Sequence, residues 1–188
     1  TAPDATQRRF TALQAMGGEV AIAVGASWYR LAADGAKLEP AAAPRRMAVP
    51  AGGLEDGTVA VGRGIVARAW LAEPTARYRH GILGDTVEAA SLVIERRDGG
   101  RAVVSSGAEA VFEDLSPRLV EIDGTERIVV VKSYLDRGSS LAIVDPAAGS
   151  IVAETPPVGH ANAWVHPVGI ADFDGDGATD IALVRQPH

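Results

Sequence analysis

The sequence predicts an all-β chain of short antiparallel strands. Three features predict it: apolar runs of about four to eight residues rich in Val, Ile and aromatics, Asp-Gly pairs between such runs, and the near absence of a helical period. The one stretch with a helical spacing is Asp4 to Met16, where Phe10, Leu13 and Met16 fall on one side and Gly17-Gly18 ends the pattern. Residues 1–18 are therefore expected to form an amino-terminal segment with a short helical stretch, and residues 19–188 the β region.

Predicted strands follow in order: Glu19 to Val24, Ser27 to Ala32, Lys37 to Glu39, Arg46 to Val49, Thr58 to Val61, Ile65 to Leu71, Val87 to Glu95 and Arg101 to Ser105. After these come Ala110 to Glu113, Arg118 to Ile122, Arg127 to Ser133, Ser140 to Val144, Ile151 to Glu154, Val168 to Ala171 and Ile181 to Val184. The turns Asp34-Gly35, Asp98-Gly99-Gly100 and Asp145-Pro146-Ala147-Ala148-Gly149 supply the backbone conformations of tight hairpins, so each joins two strands running in opposite directions.

Composition excludes several classes. The chain has 188 residues, 47% of them hydrophobic and 22% charged, with no cysteine, which rules out disorder, a disulfide framework and a thiolate metal site. No apolar run approaches the roughly 20 residues of a membrane-spanning helix. A net charge of −6, with the arginines scattered, leaves no basic stripe for nucleic acid. The lack of cysteine and a start at Thr1-Ala2-Pro3-Asp4 suit a processed, exported chain, periplasmic or secreted.

An internal repeat selects among the all-β architectures. Phe112 to Gly124 aligns with Trp164 to Gly175: an aromatic opens each segment, an acidic-apolar-Asp-Gly pattern closes it, and Ile128-Val129-Val130-Val131 matches Ile181-Ala182-Leu183-Val184. Asp123 and Asp174 lie 51 positions apart (174 − 123), the length of one four-stranded β-propeller blade. A fainter echo runs from Tyr78-Arg79-His80 to Asp85, which puts His80 and His166 in matching places after an aromatic.

The sharpest motif is Asp172-Phe173-Asp174-Gly175-Asp176-Gly177-Ala178-Thr179-Asp180. Calcium takes six to eight oxygens, and alternate positions of a tight loop can aim carboxylates at one point, with glycines allowing the curl. An EF-hand is excluded, because its twelfth position would be Leu183 and the flanks are β-rich. Asp-Phe-Asp-Gly-Asp-Gly-x-x-Asp-Ile, preceded by Val168-Gly169-Ile170-Ala171, resembles the calcium loop of the FG-GAP/VCBS repeat family, related to the integrin α-chain β-propeller. The resemblance is specific over about Phe112 to Val184. It implies one structural Ca2+ held by Asp172, Asp174, Asp176, the carbonyl of Ala178, and Asp180. The copy at Glu121 to Arg127 is two residues shorter, with Arg127 where the last carboxylate belongs, so no metal is expected there.

No catalytic constellation is apparent. His80, His160, His166 and His188 form no zinc pattern, Ser105-Ser106 and Ser139-Ser140 lack a nucleophile elbow, and Gly62-Arg63-Gly64 and Gly81 to Gly84 precede no helix that could bind phosphate. Trp28, Trp70, Trp164, Tyr29, Tyr78 and Tyr134 are expected between sheets, and Lys132 to Gly138 is the expected recognition loop.

By that resemblance the chain is about half of a seven-bladed ring: three to four blades, the last lacking two strands after Ile181 to Val184. An open half-ring exposes edge backbone, so a second chain or fragment, or a homo-oligomer, is expected to complete it. The expected role is a calcium-stabilised module binding a protein or glycan. The alternative is part of a propeller hydrolase or lyase with an active site on the ring axis, which a cluster of His80, His166 and carboxylates would favour.

Overall fold

The computed structural model describes residues 12–16, 19–32, 37–43 and 47–185. Among these residues every regular element is a strand and every strand pair is antiparallel, as the sequence predicts. None of the sheets closes into a barrel. The chain divides into two compact units, Thr1–Arg46 and Met47–His188.

The first unit is a four-stranded meander of β1 (Ala12–Met16), β2 (Glu19–Val24), β3 (Ser27–Leu31) and β4 (Leu38–Ala41), paired in chain order. The helical stretch expected up to Met16 is corrected here, since Ala12–Met16 pairs along its whole length with Glu19–Ala23; the rest of that expectation, residues 1–11, lies outside the described residues. A helix this short gains too few internal bonds to outweigh its nucleation, whereas a neighbouring strand offers a complete ladder. The Arg30–Glu39 ion pair, 2.7 Å apart, joins directly opposed residues of β3 and β4.

In the second unit, β5 (Ala60–Val61), β6 (Val66–Thr75), β7 (Glu88–Arg96) and β8 (Arg101–Ser105) pair in chain order. So do β10 (Arg118–Ile122), β11 (Thr125–Tyr134), β12 (Gly138–Asp145) and β13 (Ser150–Glu154). The short β9 (Ala110–Phe112) joins the two meanders into a nine-stranded sheet, because Phe112 pairs with Ala89 of β7 and with Lys132 of β11. A separate hairpin follows, β14 (Val165–Ala171) and β15 (Asp180–Arg185).

The strand expected over Arg46 to Val49 does not form across Met47–Val49; Pro50 follows, a residue that cannot donate to a ladder, and Val49 instead packs beside buried Trp70, Ala72 and Val93.

Packing explains the unbroken apolar run of β11. Ile128 and Val130 face a core with Leu71, Leu92, Ile94, Phe112 and Val144, while Val129 and Val131 face a second core with Leu141 and Val165, against which Ile170 and Ile181 of the β14–β15 hairpin pack. A strand covered on both faces needs no polar alternation. The Asp123-Gly124 turn has φ of +50° and +69°, the two left-handed residues a two-residue hairpin requires.

Candidate metal centre and a buried polar network

The acidic loop joins β14 to β15, strand to strand. Asp172, Asp174 and Asp176 are exposed, and each offers one carboxylate oxygen to a group of three lying within 4.8 Å of one another. The backbone holds Asp172 in place: its Oδ1 accepts from Gly175 N (2.7 Å) and Asp176 N (3.1 Å), its Oδ2 from Gly177 N (3.0 Å). Asp176 Oδ1 accepts from Ala178 N at 2.7 Å. This curl requires left-handed backbone at Gly175 (φ +79°) and Gly177 (φ +87°).

Asp180 does not join the three. It opens β15 opposite Ala171, and its Oδ2 accepts from Phe173 N at 3.0 Å. The Phe173 ring covers Gly169, where a Cβ would come within 2.9 Å of it. An all-oxygen set of converging carboxylates fits a hard divalent cation in donor chemistry. Thr179 Oγ1 donates to Glu121 O of β10 at 2.9 Å, so the loop is tied to the β10–β11 hairpin. There Ile122 pairs with Thr125 across two turn residues, and Arg127 forms an ion pair with Asp145 at 3.1 Å.

Sequence reasoning missed a second feature, a buried polar network around the β9–β10 connection. Glu113, fully buried, takes His80 Nδ1 on Oε1 at 2.6 Å and the Ser133 hydroxyl on Oε2. Next to it, Asp114 pairs with Arg118 at 2.5 Å and accepts from Val131 N at 3.2 Å. Arg118 Nη2 lies 3.5 Å from His166 Nε2. Burial, then the nearby Arg118 cation, holds the His166 imidazole below its ordinary pKa. Glu88, also buried, is pushed up to about 8 by burial and then by the Glu113 charge. The signal was the Glu113-Asp114 pair directly after the apolar Ala110-Val111-Phe112, where two acids have no solvent-facing alternation to follow.

His80 and His166 each touch the aromatic two residues before them, Tyr78 edge-on at 5.9 Å and Trp164 stacked at 5.0 Å. Their places nevertheless differ: His80 lies between β6 and β7, His166 within β14, so the echo at Tyr78 does not mark an equivalent position.

Comparison with known proteins gives no match: no family model, no curated protein and no solved structure matches this chain.

The serines are structural. Ser139 Oγ accepts from Val165 N at 2.8 Å, and Ser140 Oγ donates to Glu154 at 2.7 Å. Trp70 and Tyr78 are buried. Lys132 to Gly138 is the end of the β11–β12 hairpin, where Tyr134 lies between Lys132 Nζ (4.7 Å) and the Arg137 guanidinium (4.0 Å) and donates to Glu154 at 2.5 Å. At the turn Gly62 to Ile65, Glu126 accepts from Gly64 N (3.3 Å) and Val66 N (2.8 Å), and Arg97 donates to Gly62 O and Gly64 O. No helix is long and apolar enough to cross a membrane among the described residues.

Proposed function

We propose that the chain is a run of β-propeller blades, related to the FG-GAP/VCBS repeats, serving as a calcium-stabilised binding module of an exported protein, periplasmic or secreted, with a protein or glycan as ligand. The observation that carries this reading is the convergence of Asp172, Asp174 and Asp176 in a loop between two strands, with Asp172 pinned by three backbone N–H groups. Ala178 and Asp180 would complete the oxygen set, Asp180 directly or through water. Further support comes from the two four-stranded meanders that share a core, and from the hairpin stacked against the second. Exposed Val168, Leu183 and Val184 on that hairpin suit further strands, contributed by a second chain or fragment or by another copy. In the binding reading, calcium orders the loop and catalyses nothing.

The test is calcium titration by calorimetry, with native mass spectrometry of the assembly. One ion per chain is expected, with a higher melting temperature in calcium than in EDTA; D174N combined with D176N should abolish both. No bound calcium, or equal melting in both, overturns the reading.

A second reading, part of a propeller hydrolase or lyase completed by residues outside this chain, draws on one observation: His80, Glu113, Asp114, Arg118 and His166 form a contiguous network. Burial of Glu113 and Asp114 counts against substrate contact. Activity of the completed assembly that H166N abolishes without lowering its stability would favour it.

A further inference from the structure

The sheets of the second unit stack face to face in chain order. One face of the first meander, β5 to β8, meets the second, β10 to β13, through Leu71, Leu92, Ile94, Ile128, Val130 and Val144. The other face of the second meander meets the β14–β15 hairpin through Val129, Val131, Leu141, Val165, Ile170 and Ile181. A stack of this kind has two ends, and a soluble one closes each with a polar outer face.

Neither end here is polar. On the outer face of the first meander, cross-strand pairing sets Val61 beside Arg68, Trp70 beside Val93, and Val93 beside Val103. Val49 and Val59 pack on Trp70, Ala72 and Val93 at its centre, while Val61 and Val103 stay 59% and 54% exposed at its rim. At the other end, Val184 alternates with Ile181 and so turns away from the second core; it is 51% exposed, and Val168 and Phe173 are exposed with it.

Contacts inside the stack set how a following module sits. Glu126 of β11 accepts from Gly64 N and Val66 N at the β5–β6 turn, and Thr179 of the β14–β15 loop donates to Glu121 O of β10. The first turn of each module thus reaches the first turn of the module before it. Carried one step further, the β5–β6 turn of another copy falls against the β14–β15 loop. That turn carries exposed Arg63, with the Arg97 guanidinium on its carbonyls, and the loop carries exposed Asp172, Asp174 and Asp176. The charges are complementary where the internal contacts place them.

We propose that copies of this chain join head to tail, the free face of the β14–β15 hairpin of one copy seated on the outer face of the first meander of the next, with Arg63 against the acidic loop. This rests on the reading above in which another chain completes the open end, and it names that chain as a second copy. The contact is heterologous, so it builds a ring or an open series and not an isologous pair.

Size-exclusion chromatography and native mass spectrometry of the full chain test this in EDTA, where the result does not depend on whether the loop holds calcium. Wild type should form oligomers. Val103→Glu blocks the first-meander face and Val184→Glu the hairpin face, because a charge in an apolar junction is costly. Each variant alone should be monomeric, and an equimolar mixture should give a 1:1 dimer and nothing larger, since each supplies the face the other lacks. Arg63→Glu should weaken wild-type association by roughly fivefold in low salt and by less in high salt. Unchanged amide exchange in β11 shows each variant to be folded, and Val103→Ser and Val184→Ser take the same roles where a glutamate variant is not. A monomeric wild type, self-association of either variant as strong as that of wild type, or a mixture that stays monomeric overturns the proposal.

Discussion

Thr179 donates its hydroxyl to the Glu121 carbonyl, a bond that runs backward along the chain from the β14–β15 hairpin to the β10–β11 hairpin. Glu126 makes a similar backward link, leaving the β10–β11 turn to accept from Gly64 and Val66 beside the β5–β6 turn. Each links hairpins whose strands hold matching places in successive meanders. Thr179→Val should remove a solvent-exposed bond and cost about 0.5–1 kcal/mol, with Thr179→Ser restoring it. Thermal melts of the three proteins, with and without calcium, measure this.

Glu126 has a larger effect because its carboxylate serves two backbone donors. Glu126→Ala leaves Gly64 N and Val66 N without that acceptor and should cost about 1–3 kcal/mol, read from the urea midpoint. Glu126→Gln keeps one acceptor oxygen and should fall between.

Two glycines of that turn differ in what surrounds them. A Cβ at Gly62 would stand 2.4 Å from the Val66 carbonyl oxygen, which is backbone, whereas at Gly64 it would meet the movable end of Glu126 at 2.9 Å. Gly62→Ala is expected to destabilise by about 2–3 kcal/mol and Gly64→Ala by about 1 kcal/mol or less. The reverse order in equilibrium unfolding would contradict the packing described.

Phe112 is fully buried and bridges β7 and β11. Phe112→Ala should cost about 3–5 kcal/mol, both from lost burial and from the cavity it leaves. Amide exchange should show that β7 and β11, normally protected together, lose protection in parallel.

Stability against pH should show two opposing limbs. Burial raises the Glu154 pKa, but hydrogen bonds from Tyr134, Ser140 and Lys132 outweigh it and hold the carboxyl below its ordinary value. Its contribution is present above the unfolded value of about 4.5 and lost as pH falls through the folded one. Glu88 does the reverse: its contribution, at most about 3–5 kcal/mol, is full below about 4.5 and fades as pH rises to about 8. Chemical denaturation across pH should show E154Q flattening the acid limb and E88Q the rise-to-neutral loss.

Much of the strand order was legible because it rests on local signals. Ile128 to Val131 announced the strand read over Arg127 to Ser133, and Asp98-Gly99-Gly100 announced the hairpin of β7 and β8. The acidic loop was legible for the same reason, its spacing being set by one turn of backbone. What escaped was non-local. Glu113 contacts His80 at 33 positions' separation and Glu126 reaches Gly64 at 62, and no pattern within a window of ten residues encodes either. Leu13 and Met16 misled because their spacing suits a helix while the strand at Glu19–Val24 supplies a partner that periodicity ignores.

Since Ile128 to Val131 of β11 turn neither side toward water, that stretch has no neutral surface on which a hydrophilic mutation could land. A change of volume there must satisfy two cores at once. Such changes are therefore expected to be tolerated in compensating pairs and to fail singly.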